Sequence, residues 1–342
     1  MVVLYVLIFV ILIELLFSSS YHFEKNDENW LNYKNTNIIR GMSVVIVFLH
    51  HLSVRLPHHT LFVIIFGNIG FLGVSLFLFC SAYGLMEQYK KNNEYIKKIP
   101  SKIIKLYTIY YVWNVISSLL IVIFTNATFH FYSVFIASLY KNNWYVFAIL
   151  YLYICFYIVH RFNKNKNLNI LLFSIFWILI GVALKLGAYW YNTILCFPIG
   201  MYVAEYKEKV YSVLNKKYYK FFIFSFLIFL GFVYLNITGY ISFVRWLQFI
   251  APIITLIIVN CILLKIQFNS YILNCMNKIS YEIYLIHLSI FNLIFTNSNI
   301  YSSNTNFLVI VIVLFLSLFL HIFSNKIEKI LVYCKKRLKV IS

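Results

Sequence analysis

Residues 306–325 read NFLVIVIVLFLSLFLHIFSN, twenty residues without one Asp, Glu, Lys or Arg. About 20 mostly apolar residues are what an α-helix needs to cross a hydrocarbon layer of about 30 Å. The whole chain shares this character. Of its 342 residues, 62% are hydrophobic and 11% charged, with a mean hydropathy of +0.83; an ordinary globular domain is roughly 45–50% apolar. A soluble fold of this length has no interior large enough to hide so much apolar surface. The composition predicts an all-α, polytopic transmembrane helix bundle. It excludes disordered, coiled-coil, collagen-like and disulfide-scaffold classes.

Similar runs lie near 2–17, 38–55, 62–86, 103–124, 144–159, 168–186, 189–204, 221–238, 243–265 and 279–296, which with 306–325 makes eleven crossings joined by short connections. All but Arg55, Lys141, Lys185 and Arg245 of the 29 Lys and Arg fall in loops after odd-numbered spans or in the C-terminal tail. Cytosolic loops are the ones enriched in Lys and Arg, so this set faces the cytosol and the C-terminus is inside. The net charge of +19 is thus a topology signal. The basic residues are scattered among loops, so no nucleic-acid partner is expected. The first span is short, carries Glu14 and has no basic n-region, which reads as an N-out helix rather than a cleaved signal peptide. A helix lying on the surface, leaving ten spans, is the alternative. Residues 1–36 therefore form an N-terminal helix and cytosolic loop, and 37–342 the main transmembrane domain with its basic tail. The longest outward loops are expected near 125–143 and 297–305.

Six cysteines show no CxxC or Cys/His ligand spacing. Neither zinc nor a disulfide framework is expected, and no metal site is assigned.

Ionisable groups inside spans are expensive and commonly functional or paired. Few qualify: Glu14, Arg40, His50, His51, Glu282, His287 and His321. In IIRGMSVVIVFLHHLSVRL (38–56), Arg40 and His51 are eleven residues apart, within about 20° of full helical register and about 16 Å along the axis. They share a face, whereas His50 points elsewhere. Arg40 alone reads more readily as an interfacial anchor that snorkels than as a functional group. His51, past mid-membrane, has no such reason to be there other than packing or chemistry. In KISYEIYLIHLSIF (278–291), Ser280, Tyr284 and His287 stand at i, i+4 and i+7, one helical stripe. The stripe serves either an interhelical hydrogen-bond seam or a reaction. Glu282 lies near the interface and is expected to be solvated there. Gly67, Gly70 and Gly73 are spaced for close helix packing, with Ser75 beside them as a candidate lining of a polar path, together with Ser280. Lys102 and Lys105 lie one turn apart at the mouth of the fourth span, where they can meet an anion.

Together these segments resemble the acyltransferase-3 family of integral membrane acyltransferases, over residues 37–325. Arg40-Gly41 followed by His51 resembles the family's Arg-ten residues-His signature. GFLGVSLFLFCSAYG (70–84) resembles its Gly-rich motif, with Ser75 where Asp is common. KIIKLYTIYYVW (102–113) resembles the basic entry to the next span, with Lys102 and Lys105 at the places of paired arginines and Thr108 at that of proline. NWYVFAILYLY (143–153) is similar to the Trp-centred segment through Trp144 and Tyr153. CFPIGMYVAE (196–205) resembles the later Phe-Gly segment, and ISYEIYLIH (279–287) the motif ending in His287. Ile149 and Leu150 replace the glutamates of relatives that acetylate O-antigen or peptidoglycan, so the likeness is closer to the branch that modifies capsular and other extracellular polysaccharides.

The resemblance implies transfer of an acyl group, usually acetyl, from a cytosolic acyl-CoA to a hydroxyl of a surface carbohydrate or lipid-linked glycan, at a bacterial plasma membrane. Acyl-CoA is then a substrate, no cofactor is bound, and the lipid bilayer is the permanent partner. Arg40, Lys102 and Lys105 become donor-binding residues, His51 the general base or acyl carrier, and Tyr284 and His287 the groups that orient it or polarise the thioester. A polysaccharide transporter or polymerase is the competing class. The first is expected to show internal repeats and broken helices, the second a large outward loop.

Overall fold

The computed structural model describes residues 2–21, 30–56, 60–141, 143–162, 166–238, 241–297 and 303–341. Lys25 and Lys164, counted above on the basic side, lie outside these residues, as does most of the expected outward loop at 297–305. Among the described residues the helices are α1 (Val2–Ser18), α2 (Tyr33–Ser53), α3 (Leu61–Phe66), α4 (Gly70–Lys91), α5 (Ile99–Thr125), α6 (Trp144–Phe162), α7 (Lys166–Ala183), α8 (Cys196–Glu205), α9 (Lys207–Lys216), α10 (Tyr218–Ile237), α11 (Ile241–Lys265), α12 (Tyr271–Lys278), α13 (Ser280–Asn297) and α14 (Ser303–Ile341). One two-residue strand pair, β1 (Ser20–Tyr21) and β2 (Ile266–Gln267), joins antiparallel. Seven helices among the described residues are long and apolar enough to cross a membrane, and Leu4–Ser18 and Ser280–Phe295 are shorter apolar helices. The protein is an all-α polytopic bundle.

Two of the eleven expected spans are not single helices. The run 62–86 is interrupted at Gly67–Ile69, which separates the short α3 from α4. The run 189–204 begins as a three-residue 310 turn, Ala188–Trp190, and becomes helical only at Cys196. A ten-residue α8 is about 15 Å long, half of a hydrocarbon layer.

The chain divides into two compact units, residues 5–93 with 162–280, and residues 1–4 and 94–161 with 281–342. In the first unit α4 is the central helix, with Leu76, Phe77, Leu78, Phe79 and Ala82 all buried. Glycine sets its approach to both neighbours. A Cβ on Gly73 would stand 2.7 Å from the Ser43 carbonyl oxygen of α2, and one on Gly200 of α8 would stand 2.4 Å from the Phe79 carbonyl oxygen. On the other side of α2, a Cβ on Gly41 would meet the Leu273 carbonyl oxygen of α12 at 2.0 Å. Small residues in such seams let backbones touch where lipid gives no hydrophobic drive to association. At the basic ends of these helices, Lys90 Nζ donates to the Ala204 carbonyl (2.7 Å) and Lys166 Nζ to the Tyr89 hydroxyl (3.0 Å).

The burden of Glu14 is explained in the same unit. Its carboxylate accepts from the Ser270 hydroxyl and from the Tyr271 backbone N–H (2.6 Å). It thus satisfies the N-terminus of α12, where a negative charge is favoured. At the other end of α1, Tyr5 packs edge-on against Phe62 of α3 at 6.1 Å. The nine-residue interval from Tyr5 to Glu14 equals that from His50, bonded to the α3 end, back to Gly41, packed on α12. So α1 runs antiparallel to α2 along the same stretch of that helix.

The second unit gathers α5, α6, α13 and α14. The expected outward loop after α5 does not project. Asn126 turns the chain in a left-handed conformation (φ 51), which asparagine tolerates well. Residues 132–139 then fold back along α5 as a short π-helical turn and a 310 turn. Asn114 Nδ2 donates to the Ser138 carbonyl (3.1 Å), and the Tyr107 hydroxyl to that of Leu139 (3.1 Å). Tyr107 lies 18 residues before the end of α5, about 27 Å back along its axis.

The close contact at Gly41 predicts that Gly41→Ala lowers the thermal unfolding midpoint of the detergent-purified protein, by an amount corresponding to about 1–3 kcal/mol of overpacking. Gly84, whose Cβ would meet nothing within 4 Å, is expected to accept alanine with an unchanged or higher midpoint.

Candidate functional site

α2 is unbroken from Tyr33 to Ser53, so Arg40 and His51 keep their shared face. Its start is fixed by Asn32, whose side chain accepts from the Asn35 N–H (2.8 Å), and by buried Asn35, whose Oδ1 accepts from Phe268 N–H (2.9 Å). Arg40 is half-buried, and its Nε is buried with no hydrogen-bond partner among the described residues. Leaving such a donor unmade costs about 1–3 kcal/mol, and an anion is the natural acceptor for it.

The two adjacent histidines have different surroundings. His50 Nδ1–H donates to the Phe66 carbonyl at 3.0 Å, and its ring lies where a Cβ on Gly70 would be 2.2 Å away. This imidazole pins α2 to the break between α3 and α4. The neighbouring His51 ring sits half-buried, 4.8 Å from that of His50, and the Arg55 guanidinium donates to the His51 carbonyl at 3.1 Å. Ser75 is fully buried, donates to the Leu72 carbonyl at 2.6 Å and meets the Cys196 thiol where α4 and α8 pack.

In the second unit, the tyrosine and histidine of the α13 stripe are both buried; Ser280, at the head of α13 and the last residue of the first unit, is buried too. The Tyr284 ring lies 4.5 Å from that of Tyr145 on α6 and 5.7 Å from that of His287. His287 Nδ1–H donates to the Ile283 carbonyl at 2.9 Å. In the neutral ring the lone pair is therefore on Nε2, the nitrogen able to accept a proton. Tyr281 ties α13 to α5 by donating to the Leu106 carbonyl at 2.8 Å, and Trp113 Nε1 donates to Ser289 Oγ at 3.4 Å.

Both candidate donor-binding lysines already hold protein partners. Lys105 is ion-paired with Glu328 of α14, and exposed Lys102 donates to the Tyr95 hydroxyl while standing 4.9 Å over its ring. Between the spans, Lys141 donates to Ser117 Oγ at 3.2 Å, and burial pushes its ammonium below the ordinary lysine value.

One expectation is corrected. Glu282 is not solvated at the interface: it is 4% exposed and accepts a hydrogen bond from His321 Nδ1 at 3.0 Å, joining α13 to α14. The signal was present in two ionisable residues within apolar runs, but their pairing across 39 residues is a property of packing. The Asn35 link and the Lys141 cluster also escaped the sequence reading.

The acyltransferase-3 model, an acyltransferase domain, matches residues 28–324. The chain belongs to the acyltransferase-3 family. No curated protein and no solved structure matches it. The family match runs from ahead of α2 into α14, so it takes in residues of both units. In structural terms, the family-like Gly-rich segment supplies the close approach of α4 to α2, and the Phe-Gly segment that of α8 to α4.

His321→Ala removes the hydrogen-bond partner of the buried Glu282 side chain and is expected to cost about 1–3 kcal/mol. Glu282→Leu/His321→Leu together are expected to restore most of that loss. Unfolding midpoints of the purified variants measure both.

Proposed function

We propose that this family member transfers an acyl group, acetyl in the first instance, from a cytosolic acyl-CoA to a hydroxyl of an extracytoplasmic carbohydrate. The observation that carries the reading is the Arg40 Nε–H, buried without a partner among the described residues, on the helix face it shares with His51. An anionic donor engaging Arg40 on the basic side would extend its pantetheine arm along that face, about 16 Å to His51. Lys102 and Lys105 add positive charge for the same donor, although Lys105 must exchange Glu328 for a phosphate. Lysine offers charge without the bidentate fork of arginine.

In the transfer, His51 takes the proton of the acceptor hydroxyl as its oxygen attacks the thioester carbonyl carbon. The tetrahedral oxyanion collapses, the C–S bond breaks, and the thiolate leaves with the proton returned by the imidazolium. An imidazole titrates near neutrality and serves in both directions. Tyr284 and His287 are assigned to stabilising charge on the thioester oxygen or orienting the base. Ser75 and Ser280, both buried, are assigned to the polar lining. The interrupted spans at Gly67–Ile69 and before Cys196 also suit a transporter, but membership of an acyltransferase family favours transfer.

The test is NMR of surface-polysaccharide esters in cells lacking the gene, restored, and restored as His51→Ala. O-acyl signal is expected to vanish on deletion and to return with the unmutated protein alone. An unchanged ester profile with altered polysaccharide amount or chain length overturns the reading in favour of a transporter or polymerase. Arg40→Ala is expected to raise the donor concentration needed for half-maximal transfer at least tenfold, read by titrating acyl-CoA on membranes.

A further inference from the structure

Where α9 gives way to α10 the backbone turns at Lys217 (φ −118, ψ 30), and this turn gathers charge. Lys216, Lys217 and Lys220 converge with Lys265, the last residue of α11, around an open groove of about 890 Å³. Three lysines elsewhere among the described residues sit beside carboxylates: Lys105 by Glu328, Lys97 by Glu94 and Lys90 by Glu87. Among the described residues none of the four groove lysines makes an ion pair; Lys265 Nζ instead stands 5.4 Å over the Tyr218 ring. Four like charges around one concavity repel one another unless an anion sits among them.

The wall of the groove continues as a different kind of surface. Tyr218, Phe222 and Phe226 line up with near-parallel rings down α10, successive centroids 6.0 Å apart and interplanar angles of 4° and 9°. The flank beside them is apolar and exposed, Ile223 at 54% and Phe226 at 43%. A cationic pocket at the basic end of a helix, opening onto an apolar strip one turn after another, is matched by a molecule with an anionic head and a hydrocarbon tail. We propose that this groove is a binding site for an anionic phospholipid, its phosphate among Lys216, Lys217, Lys220 and Lys265 and an acyl chain along the aromatic ladder. Basic pockets between helices on the cytosolic side are where such headgroups bind. The site lies within the first unit and is independent of the assignment of His51.

The test is native mass spectrometry of the full-length protein titrated with phosphatidylglycerol and phosphatidylcholine. Phosphatidylglycerol is expected to bind at least tenfold more tightly. K216Q/K217Q/K220Q/K265Q is expected to abolish that preference, while K91Q/K98Q/K209Q/K278Q, on the same basic side outside the groove, shifts affinity less than twofold. Phe226→Ala is expected to weaken the lipid several-fold. Equal losses in both quadruple variants overturn the proposal, since general surface charge then accounts for binding. Displacement of phosphatidylglycerol by equimolar inorganic phosphate or coenzyme A also overturns it, because the groove would then be a phosphate site without need of a lipid tail. Should the quadruple variant not be recovered, K217Q/K265Q takes one charge from each wall; unchanged affinity in that protein likewise overturns the proposal.

Discussion

Two helices can touch backbone to backbone only where no Cβ stands between them, and α2 meets that condition on both sides. Gly41 admits the Leu273 carbonyl of α12, and Gly73 of α4 admits the Ser43 carbonyl. With Gly70 opening room for the His50 ring, α2 is fixed in depth and rotation by contacts that a single methyl group would break. Everything attributed to Arg40 and His51 depends on this. A helix free to slide or roll would lose the shared alignment of Arg40 and His51 against its neighbours, and in a bilayer there is no hydrophobic drive to recover it.

The second unit is held by polar contacts instead. The Glu282–His321 pair, the Tyr281 bond to Leu106 and the contact from Trp113 to Ser289 tie α13 to α14 and α5. Hydrogen bonds inside an apolar surrounding are directional, so they specify the rotation of α13 and with it where Tyr284 and His287 are carried. The folded-back segment 132–139 shows the same economy. Its Ser138 and Leu139 carbonyls are met by the amide and hydroxyl donors of α5.

Much of this was legible in the chain. Apolar runs and the bias of Lys and Arg give a polytopic bundle, and the helical register of Arg40 with His51 survives because α2 is continuous. Six motifs in order give the family that the match over 28–324 shows. The rest was hidden for physical reasons. Hydropathy counts apolar residues without reporting whether the helix through them is continuous, so the break at Gly67–Ile69 and the late start of α8 read as whole spans. Glu282 near a span end reads as solvated and Glu14 as a charge inside a span until their partners are known, and those partners lie 39 and 256 residues away. The 126–143 segment, with Lys141 and several aromatic residues, has the composition of an exposed loop; only the donors waiting on α5 show that it returns.

The most direct measurement is thiol release from acetyl-CoA by the purified protein in sealed vesicles, with an oligosaccharide acceptor enclosed and donor supplied outside. Insertion with the basic side outward is selected by protease mapping of the loops. The account predicts free coenzyme A outside in proportion to ester formed inside, and neither product with His51→Ala. Ester formation that persists at the unmutated rate in a folded His51→Ala protein, or no thiol release by the intact protein with any carbohydrate acceptor, contradicts it.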